Sequence, residues 1–342
     1  MPDWEHEMNE AIAHLPWTDK QWDLVHQAVK EEAERTRIPG KSLRPAKAEA
    51  TDVAVPAYAL ATSTLPLSSN PAANAALVNA LTAAGAPAPA TTRTDVNSDP
   101  TVYLSSISKL VYLRNREVAD THLEAALTYF RRAGAQIAQT ENALLLNGRG
   151  LGGGPANAGP IPGAPADIVV NALPPAAGPV QGLFAPLGAP GQATPPLVNI
   201  PLPTQQAITF AGGYDAALGG QIIGAVSRAT TQLEDAAYYA PFAMVASTPI
   251  WTAINQPSAQ SQLPARLTIE RILQGGPLMH SASLPAPFAL VFAHDCPELE
   301  QVLAHEVHVK LLYVSEEPRF VFRVSVRTAL RVRDRRAIAI LV

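Results

Sequence analysis

The feature that most constrains the fold is an alternating stretch near the C-terminus, from Phe320 to Arg333. One set of alternate positions is apolar and the other is largely basic or small. The apolar set is Phe320, Phe322, Val324, Val326, Thr328, Leu330 and Val332, and the other set is Val321, Arg323, Ser325, Arg327, Ala329, Arg331 and Arg333. A period of two predicts a β-strand with an apolar face and a basic face. At ~3.3 Å per residue the strand extends roughly 46 Å, against ~17–20 Å for a usual strand. This length favours an elongated subunit.

A second alternating segment, Glu306 to Val314, lies just upstream. The residues between the two segments, 315–318, form a polar turn with a proline stop, so we expect an antiparallel hairpin. An ordinary edge hairpin of a β-sandwich is the alternative interpretation.

Composition limits the classes of protein that fit. Of the 342 residues, 16% are charged and 47% are hydrophobic, which leaves neutral surface available for contacts between subunits. The net charge of −4 gives no reason to invoke nucleic acid or an anionic membrane. The single cysteine, Cys296, excludes an intrachain disulfide. We expect no secretory signal and no membrane span, and therefore a cytoplasmic location.

Two amphipathic helices are predicted. The first runs from Thr18 to Arg37, with Thr18 and Gln21 as a capping box. Its apolar stripe packs either against the core of its own chain or along a groove shared with a partner peptide. The stripe consists of Trp22, Val25, Val29 and Ala33. The second helix covers His122 to Gly148, with Thr121 and Glu124 as its capping box and Gly148 as its stop.

The remaining segments complete an α+β chain. An Ala/Pro-rich stretch, 46–102, is predicted to project as a loop or arm, with some strand character because weak alternation occurs around 53–60. Residues 148–203 carry no usable periodicity. The other predicted helices are Ala216 to Glu234 and Leu263 to Leu273, and Pro249 to Asn255 is predicted as a turn or a short helix. The other predicted strands are Ile107 to Glu117, Phe242 to Ser247 and Pro287 to Phe292.

Three groups of residues could carry chemistry, and none favours it. The glycines of 148–154 follow a helix rather than a strand, so they do not fit a phosphate-binding loop. The segment 294–308 holds the densest group of potential metal ligands, but His305 and His308 would point to opposite faces of a strand, which argues against chelation. The group consists of His294, Asp295, Cys296, His305, Glu306 and His308. The arginines of 323–336 fit a solvated face or a row of ion pairs between subunits, with attraction of cargo or nucleic acid as the alternative. We predict no catalytic residues, no cofactor and no metal ligand.

Two ends of the chain resemble a known family. LPWTDKQWDLVHQAVKEEAERT (15–36) resembles the N-terminal helix of encapsulin shell proteins, the nanocompartments that share the fold of tailed-phage capsid proteins. FVFRVSVRTALRVRDRRAIAIL (320–341) resembles their closing strand and tail. Between them, 122–148 is similar to the family's long spine helix, and the blocks 180–184, 239–254 and 269–276 follow in the family's order.

The resemblance implies an HK97-like capsid fold. Its P-domain would hold the N-terminal helix and entry (1–45), a strand and the spine helix (106–148), and the terminal hairpin and tail (293–342). The extended E-loop would be 46–105 and the A-domain 149–292, in which 150–179 looks like an insertion. The resemblance also implies self-assembly into an icosahedral shell of roughly 60 or more copies. In the family, a targeting peptide of the cargo enzyme lies in an interior groove between the N-terminal helix and the P-domain. Carried over by position, that places Trp22, Val25 and Val29 at or beneath the groove.

The sequence leaves two further functions open. A prophage-derived major capsid protein would have the same fold and would package DNA. A metal-dependent enzyme using the histidines of 294–308 is the alternative from another class.

Overall fold

The computed structural model describes residues 17–56, 59–64, 92–97, 101–148, 167–172, 182–183, 204–206, 208, 216–257, 263–315 and 319–342. The helices within these ranges are α1 (Asp19–Thr36), the single turn α2 (Asn115–Val118), α3 (Glu124–Asn147), α4 (Ala216–Asp235), α5 (Thr248–Asn255) and α6 (Ala265–Ile272). The first seven strands are β1 (Arg44–Lys47), β2 (Ala54–Pro56), β3 (Ala59–Thr64), β4 (Thr92–Asn97), β5 (Thr101–Tyr103), β6 (Ser105–Arg114) and β7 (Val169–Ala172). The others are β8 (Thr204–Gln206), β9 (Phe242–Ala246), β10 (Leu278–His280), β11 (Ala289–Ala293), β12 (Leu299–Ser315), β13 (Arg319–Val332) and β14 (Ile338–Leu341).

The predicted hairpin is confirmed and forms the centre of the first sheet. β12 and β13 pair antiparallel from Leu299 opposite Val332 to Ser315 opposite Arg319, and the sheet order is β1-β12-β13-β6-β7. β12 begins at Leu299, seven residues before the predicted start at Glu306, because β-bulges interrupt the alternation that the sequence pattern relies on. The turn residues 316–318 lie outside the described residues.

The apolar face of β13 is buried as predicted, but the opposite face is not simply a basic surface. Val321, Ser325 and Ala329 on that second face are buried as well. Ala329 packs in a small cluster with Val55 of β2 and with Leu104, which directly follows β5. The prediction of one exposed basic face is therefore wrong where the chain folds back over the sheet.

The long helix α3 lies against the first sheet, and its predicted capping box is wrong. The N-cap position is Leu123, which has a φ of 53° and makes no side-chain cap. The Asp120 carboxylate instead accepts hydrogen bonds from the backbone N–H groups of His122 (3.0 Å) and Glu124 (3.1 Å). The predicted stop is confirmed, since Gly148 has a φ of 72° and donates its N–H to the carbonyl of Leu144 at 2.8 Å.

The second sheet has the order β10-β9-β11-β14-β8 and is packed with α4, α5 and α6. The predicted helices α4 and α6 and the predicted strands β9 and β11 are present, and the segment predicted as a turn or a short helix is the helix α5. The final strand β14 pairs with β11 and β8 in this sheet, although the sequence grouped it with the terminal hairpin. A shared apolar cluster that includes Leu145, Phe292, Leu330 and Ile340 joins the two sheets.

The Ala/Pro-rich stretch has the strand character that the sequence predicted around 53–60. β2 and β5 form an antiparallel pair near the first sheet, and β3 pairs with β4 as a separate two-stranded ribbon. Neither β3 nor β4 joins either five-stranded sheet. We call residues 54–103 the arm, with β2 and β5 at its base.

Candidate assembly arm and peptide groove

The three residues predicted for the groove differ in accessibility. Val25 and Val29 have no exposed surface and pack in the same core as Phe130, Ile137 and Val307. Trp22 is only partly buried and packs against the edge of that core. A peptide lying along α1 could therefore touch Trp22, whereas the two valines could support a groove only from beneath.

An aromatic cluster surrounds Trp22. Its ring centroid lies 5.2 Å from Trp17 and 6.1 Å from Phe322, both in edge-on geometry, and 5.8 Å from His26 in a stacked one. Trp17 also stacks on Phe322 at 5.1 Å. The sequence analysis did not single out Trp17. Its position directly before the N-cap of α1, where an apolar residue often packs back onto the helix, could have indicated it.

Hydrogen bonds hold α1 at both ends. At its start, the Trp17 indole N–H donates to the Val118 carbonyl at 2.9 Å, and the predicted capping box of Thr18 and Gln21 is present. At its end, the Asn142 side chain donates to the Thr36 carbonyl and accepts from the Ile38 N–H, both at 2.9 Å. The helix is thus fixed to the body of the fold.

A buried ion pair adds to the clamp at the end of α1. Arg37 Nε lies 2.6 Å from a carboxylate oxygen of Glu141, and the Glu141 side chain has no exposed surface. Gln301 of β12 donates to the other oxygen of Glu141 at 2.6 Å. Burial raises the pKa of the Glu141 carboxyl, and the charge and hydrogen bond of Arg37 oppose that rise. This one carboxylate connects α1, α3 and the first sheet.

Close packing between α1 and α3 depends on Gly134. A Cβ built at Gly134 would lie 2.8 Å from the carbonyl oxygen of Val29, which belongs to the backbone of α1. We predict that Gly134→Ala lowers the free energy of unfolding by about 1–3 kcal/mol, because the helix backbone has to move. Chemical denaturation of the wild type and the variant measures this difference in the free energy of unfolding.

Gly220→Ala in α4 is the matched control. No atom lies within 4 Å of a Cβ built at Gly220, so removing a helical glycine there should stabilise the protein by about 0.5–1 kcal/mol. If the two variants lose equal stability, the interpretation of Gly134 as a packing contact is wrong.

Two arginines of β13 and Arg333, which directly follows it, make their contacts within the chain. Arg327 donates to the Ala50 carbonyl at 2.7 Å, and Arg331 donates to the Pro56 carbonyl at 3.2 Å. Arg331 and Arg333 both form ion pairs with Glu300 of β12. The structure therefore assigns these three arginines contacts inside one subunit, where the sequence suggested solvent or a neighbouring subunit.

The side chains of His305 and His308 are not oriented as the sequence predicted. One extra residue between His305 and His308 on β12 forms a bulge, since they pair with Arg327 and Ser325, which are two residues apart on β13. Their rings consequently lie on the same side, with centroids 5.1 Å apart, and the prediction of opposite faces is wrong. Among the described residues, no group of three His, Cys, Asp or Glu side chains could hold a metal ion.

The predictions for the glycines of 148–154 and for membrane spans can be compared with the described residues only. Of the glycines in 148–154, only Gly148 is described, and it ends a helix. No helix in the described ranges is both long enough and apolar enough to cross a membrane.

Comparison with solved structures shows which fold this is. The virus-like particle from Pyrococcus furiosus aligns at a TM-score of 0.61 with 12% sequence identity, covering 95% of this chain and 100% of that one. The capsid of Myoviridae phage XM1 aligns at 0.52 with 10% identity, covering 88% and 90% of the two chains. The chain has the HK97-type capsid fold.

Sequence comparisons do not reach this result. No protein-family model matches the chain. No curated protein sequence matches it significantly.

A further solved structure that aligns with this chain is the holo-SrpI encapsulin complex from Synechococcus elongatus PCC 7942. Its TM-score is 0.48, with 13% identity over 90% of this chain and 88% of that one, and no argument is based on it.

Proposed function

We propose that this chain is a structural, non-enzymatic shell protein whose copies assemble in the cytoplasm into a closed icosahedral nanocompartment. The observation that carries the proposal is the HK97-type fold, which aligns over 95% of this chain with a protein that forms a virus-like particle. In this proposal the first sheet with α1 and α3 is the P-domain, the second sheet with α4, α5 and α6 is the A-domain, and the arm is the E-loop.

The arm supports assembly on physical grounds. A two-stranded ribbon such as β3–β4 is marginally stable alone in water, and this one is paired with neither large sheet of its own subunit. We infer that it is covered by other copies of the chain. Closed shells need large contacts between subunits, and a projecting arm supplies them. The low share of charged residues, 16%, fits a surface that is mostly covered in this way.

A second part of the proposal is that cargo enzymes enter the shell through a targeting peptide bound beside α1. Support comes from the resemblance of 15–36 to the encapsulin N-terminal helix and from the aromatic cluster at Trp22. Trp22 is the one of the three predicted groove residues that keeps accessible surface. Aromatic side chains of this kind often anchor a bound peptide.

The peptide proposal predicts different results for two neighbouring substitutions. Trp22→Ala should lower cargo loading at least roughly ten-fold while particles still form, because it removes a surface anchor worth about 2 kcal/mol or more. Val25→Ala should instead lower stability by about 1–3 kcal/mol, because it opens a cavity in the core. The measurement is fluorescence per particle after co-expression with a fluorescent protein, fused in turn to the C-terminal segments of proteins encoded beside the shell gene. Unchanged loading of Trp22→Ala with a segment that wild-type shells load would contradict the groove.

The structural match to a phage capsid supports one alternative function, that of a prophage-derived capsid protein that packages DNA. The two functions differ in particle content. Nuclease-treated particles that absorb more strongly at the nucleic-acid maximum than at the protein maximum would favour DNA packaging. Particles with a protein spectrum favour the nanocompartment.

Sedimentation velocity of the purified chain tests the assembly proposal. We expect one dominant species far heavier than the 36.1 kDa subunit, at roughly 60 copies or a larger icosahedral number. A monomer or dimer over the whole concentration range would overturn it.

A further inference from the structure

The contact between α1 and β12 contains histidines from both elements. Lys30 of α1 and Glu306 of β12 form an ion pair with N···O at 2.8 Å, which places the strand beside the helix. His26 lies one turn before Lys30 on the same face of α1, and His308 lies two residues beyond Glu306 on β12. We call the contact between His26, Lys30, Glu306 and His308 the seam.

The hydrogen bonds of His308 define its neutral form. Nδ1 lies 3.1 Å from the Glu306 carbonyl oxygen, which can only accept, so Nδ1 carries the proton. Nε2 lies 3.2 Å from the Ser325 hydroxyl, which can donate to it. Neutral imidazole therefore satisfies both contacts without an added proton.

Positive charge dominates around these rings. His305 lies beside His308 with ring centroids 5.1 Å apart, so protonating both would place two like charges together. Asp23, Glu34 and Glu306 carry the negative charge near the seam within the described residues, and Lys30 pairs with both Glu306 and Glu34. The charged groups around the seam on α1, β1, β12, β13 and the chain after α1 are Asp23, Lys30, Glu34, Arg37, Lys47, Glu306, Lys310 and Arg327.

The acid and base behaviour of the groups follows from this setting. Burial lowers the pKa of His308, and the charges of His305, His26 and Lys310 lower it further, while its bond to the Glu306 carbonyl opposes the shift. Burial also lowers the pKa of His26, against the charge of Asp23. Because the folded pKa is below the unfolded one, the folded state binds fewer protons than the unfolded state. Stability is therefore present above the ordinary imidazole pKa and is lost as the pH falls through and below it.

We propose that the seam between α1 and β12 is a proton-sensitive joint that loosens on mild acidification, through charging of His26 and His308. The joint lies beside the groove of the proposed function, so its opening would regulate the hold on a bound peptide, and this consequence rests on that function. The Lys30–Glu306 pair does not cause the effect. Its hydrogen bond and charge lower the pKa of Glu306, which stays ionised while the imidazoles titrate.

Hydrogen–deuterium exchange on the full-length protein tests the joint directly. Exchange is compared at about pH 7.5 and about pH 5.5, after correction for the intrinsic pH dependence of amide exchange. We expect amides of Asp19–Thr36 to exchange at least roughly ten-fold faster at the lower pH. In the double variant His26→Gln/His308→Gln that acceleration should disappear. His280→Gln on the second sheet is the matched control and should keep it.

A second measurement guards against a double variant that does not fold. Trp22 stacks on His26 at 5.8 Å, so protonated His26 should quench its emission, and His26→Gln alone should remove that step from a pH titration. The proposal is wrong if acidification accelerates amide exchange in α1 equally in the wild type and the double variant, or does not accelerate it in the wild type. Neither readout requires cargo or a closed shell, so these results are separable from failure of the proposed function.

Discussion

Replacing residues 57–100 by a short turn should abolish particle formation while leaving the subunit folded. Pro56 and Thr101 lie opposite each other in the β2–β5 pair, so a few Gly and Asn residues can close the chain there as a hairpin. The variant keeps the base of the arm, where Arg331 donates to the Pro56 carbonyl, and the segment before it, where Arg327 donates to the Ala50 carbonyl. It loses β3 and β4, the ribbon that we expect neighbouring subunits to cover.

Sedimentation and circular dichroism together measure this effect. We expect the shortened chain to sediment as a monomer or small oligomer with the helix content of α1, α3 and α4 retained. Tyr239→Ser is a suitable control, because Tyr239 is 72% exposed and lies outside the arm. Wild-type-sized particles from the shortened chain would show that the arm is not the main assembly contact.

The second large effect concerns Glu141, the buried carboxylate that ties α1 to α3 and β12. Glu141→Ala leaves Arg37, whose side chain is only 11% exposed, without its charge partner. Breaking such a buried pair from one side costs about 3–5 kcal/mol in the free energy of unfolding. Denaturant unfolding should show this loss, with α1 released first in hydrogen exchange.

Two further variants test whether the loss of stability in Glu141→Ala comes from leaving a buried charge unpaired. Glu306→Ala removes the carboxylate of an exposed ion pair with Lys30 and should cost about 1 kcal/mol or less. The double variant Arg37→Met/Glu141→Met removes both buried charges and should recover most of the loss, since apolar groups of similar size can replace a buried pair. A loss for Glu141→Ala no larger than that for Glu306→Ala would contradict the clamp.

Local pattern predicted much of the fold. Alternation over Phe320 to Arg333 indicated the central strand, and the Thr18 and Gln21 capping box located the start of α1 at the residue where the structure has it. These features depend on short-range chemistry, which a single sequence contains. Helix α4 and strand β9 were found for the same reason.

The errors arise where two local patterns compete, where a bulge interrupts a strand, or where contacts distant in sequence decide. Asp120 competes successfully with Thr121 for the free N–H groups of α3, and sequence spacing alone does not rank the two. The bulge before His308 reverses the side on which the following residues lie, so simple alternation placed His305 and His308 apart. Pairing of β14 with the second sheet is a tertiary choice that no local pattern encodes.

The candidate groove was predicted only in outline. Helical periodicity placed Trp22, Val25 and Val29 on one stripe, and the structure buries the two valines and leaves part of Trp22 accessible. The difference depends on α3 crossing close to Val29 at Gly134, a contact between residues more than a hundred positions apart. Whether a peptide binds there stays a prediction.

Electron microscopy of the purified full-length protein shows whether the chain forms a closed shell. We expect uniform, hollow, closed particles with icosahedral symmetry, in which each subunit places its arm against neighbouring copies. A preparation of well-folded single subunits or small oligomers, with no closed particle under any tested salt or protein concentration, would contradict this expectation.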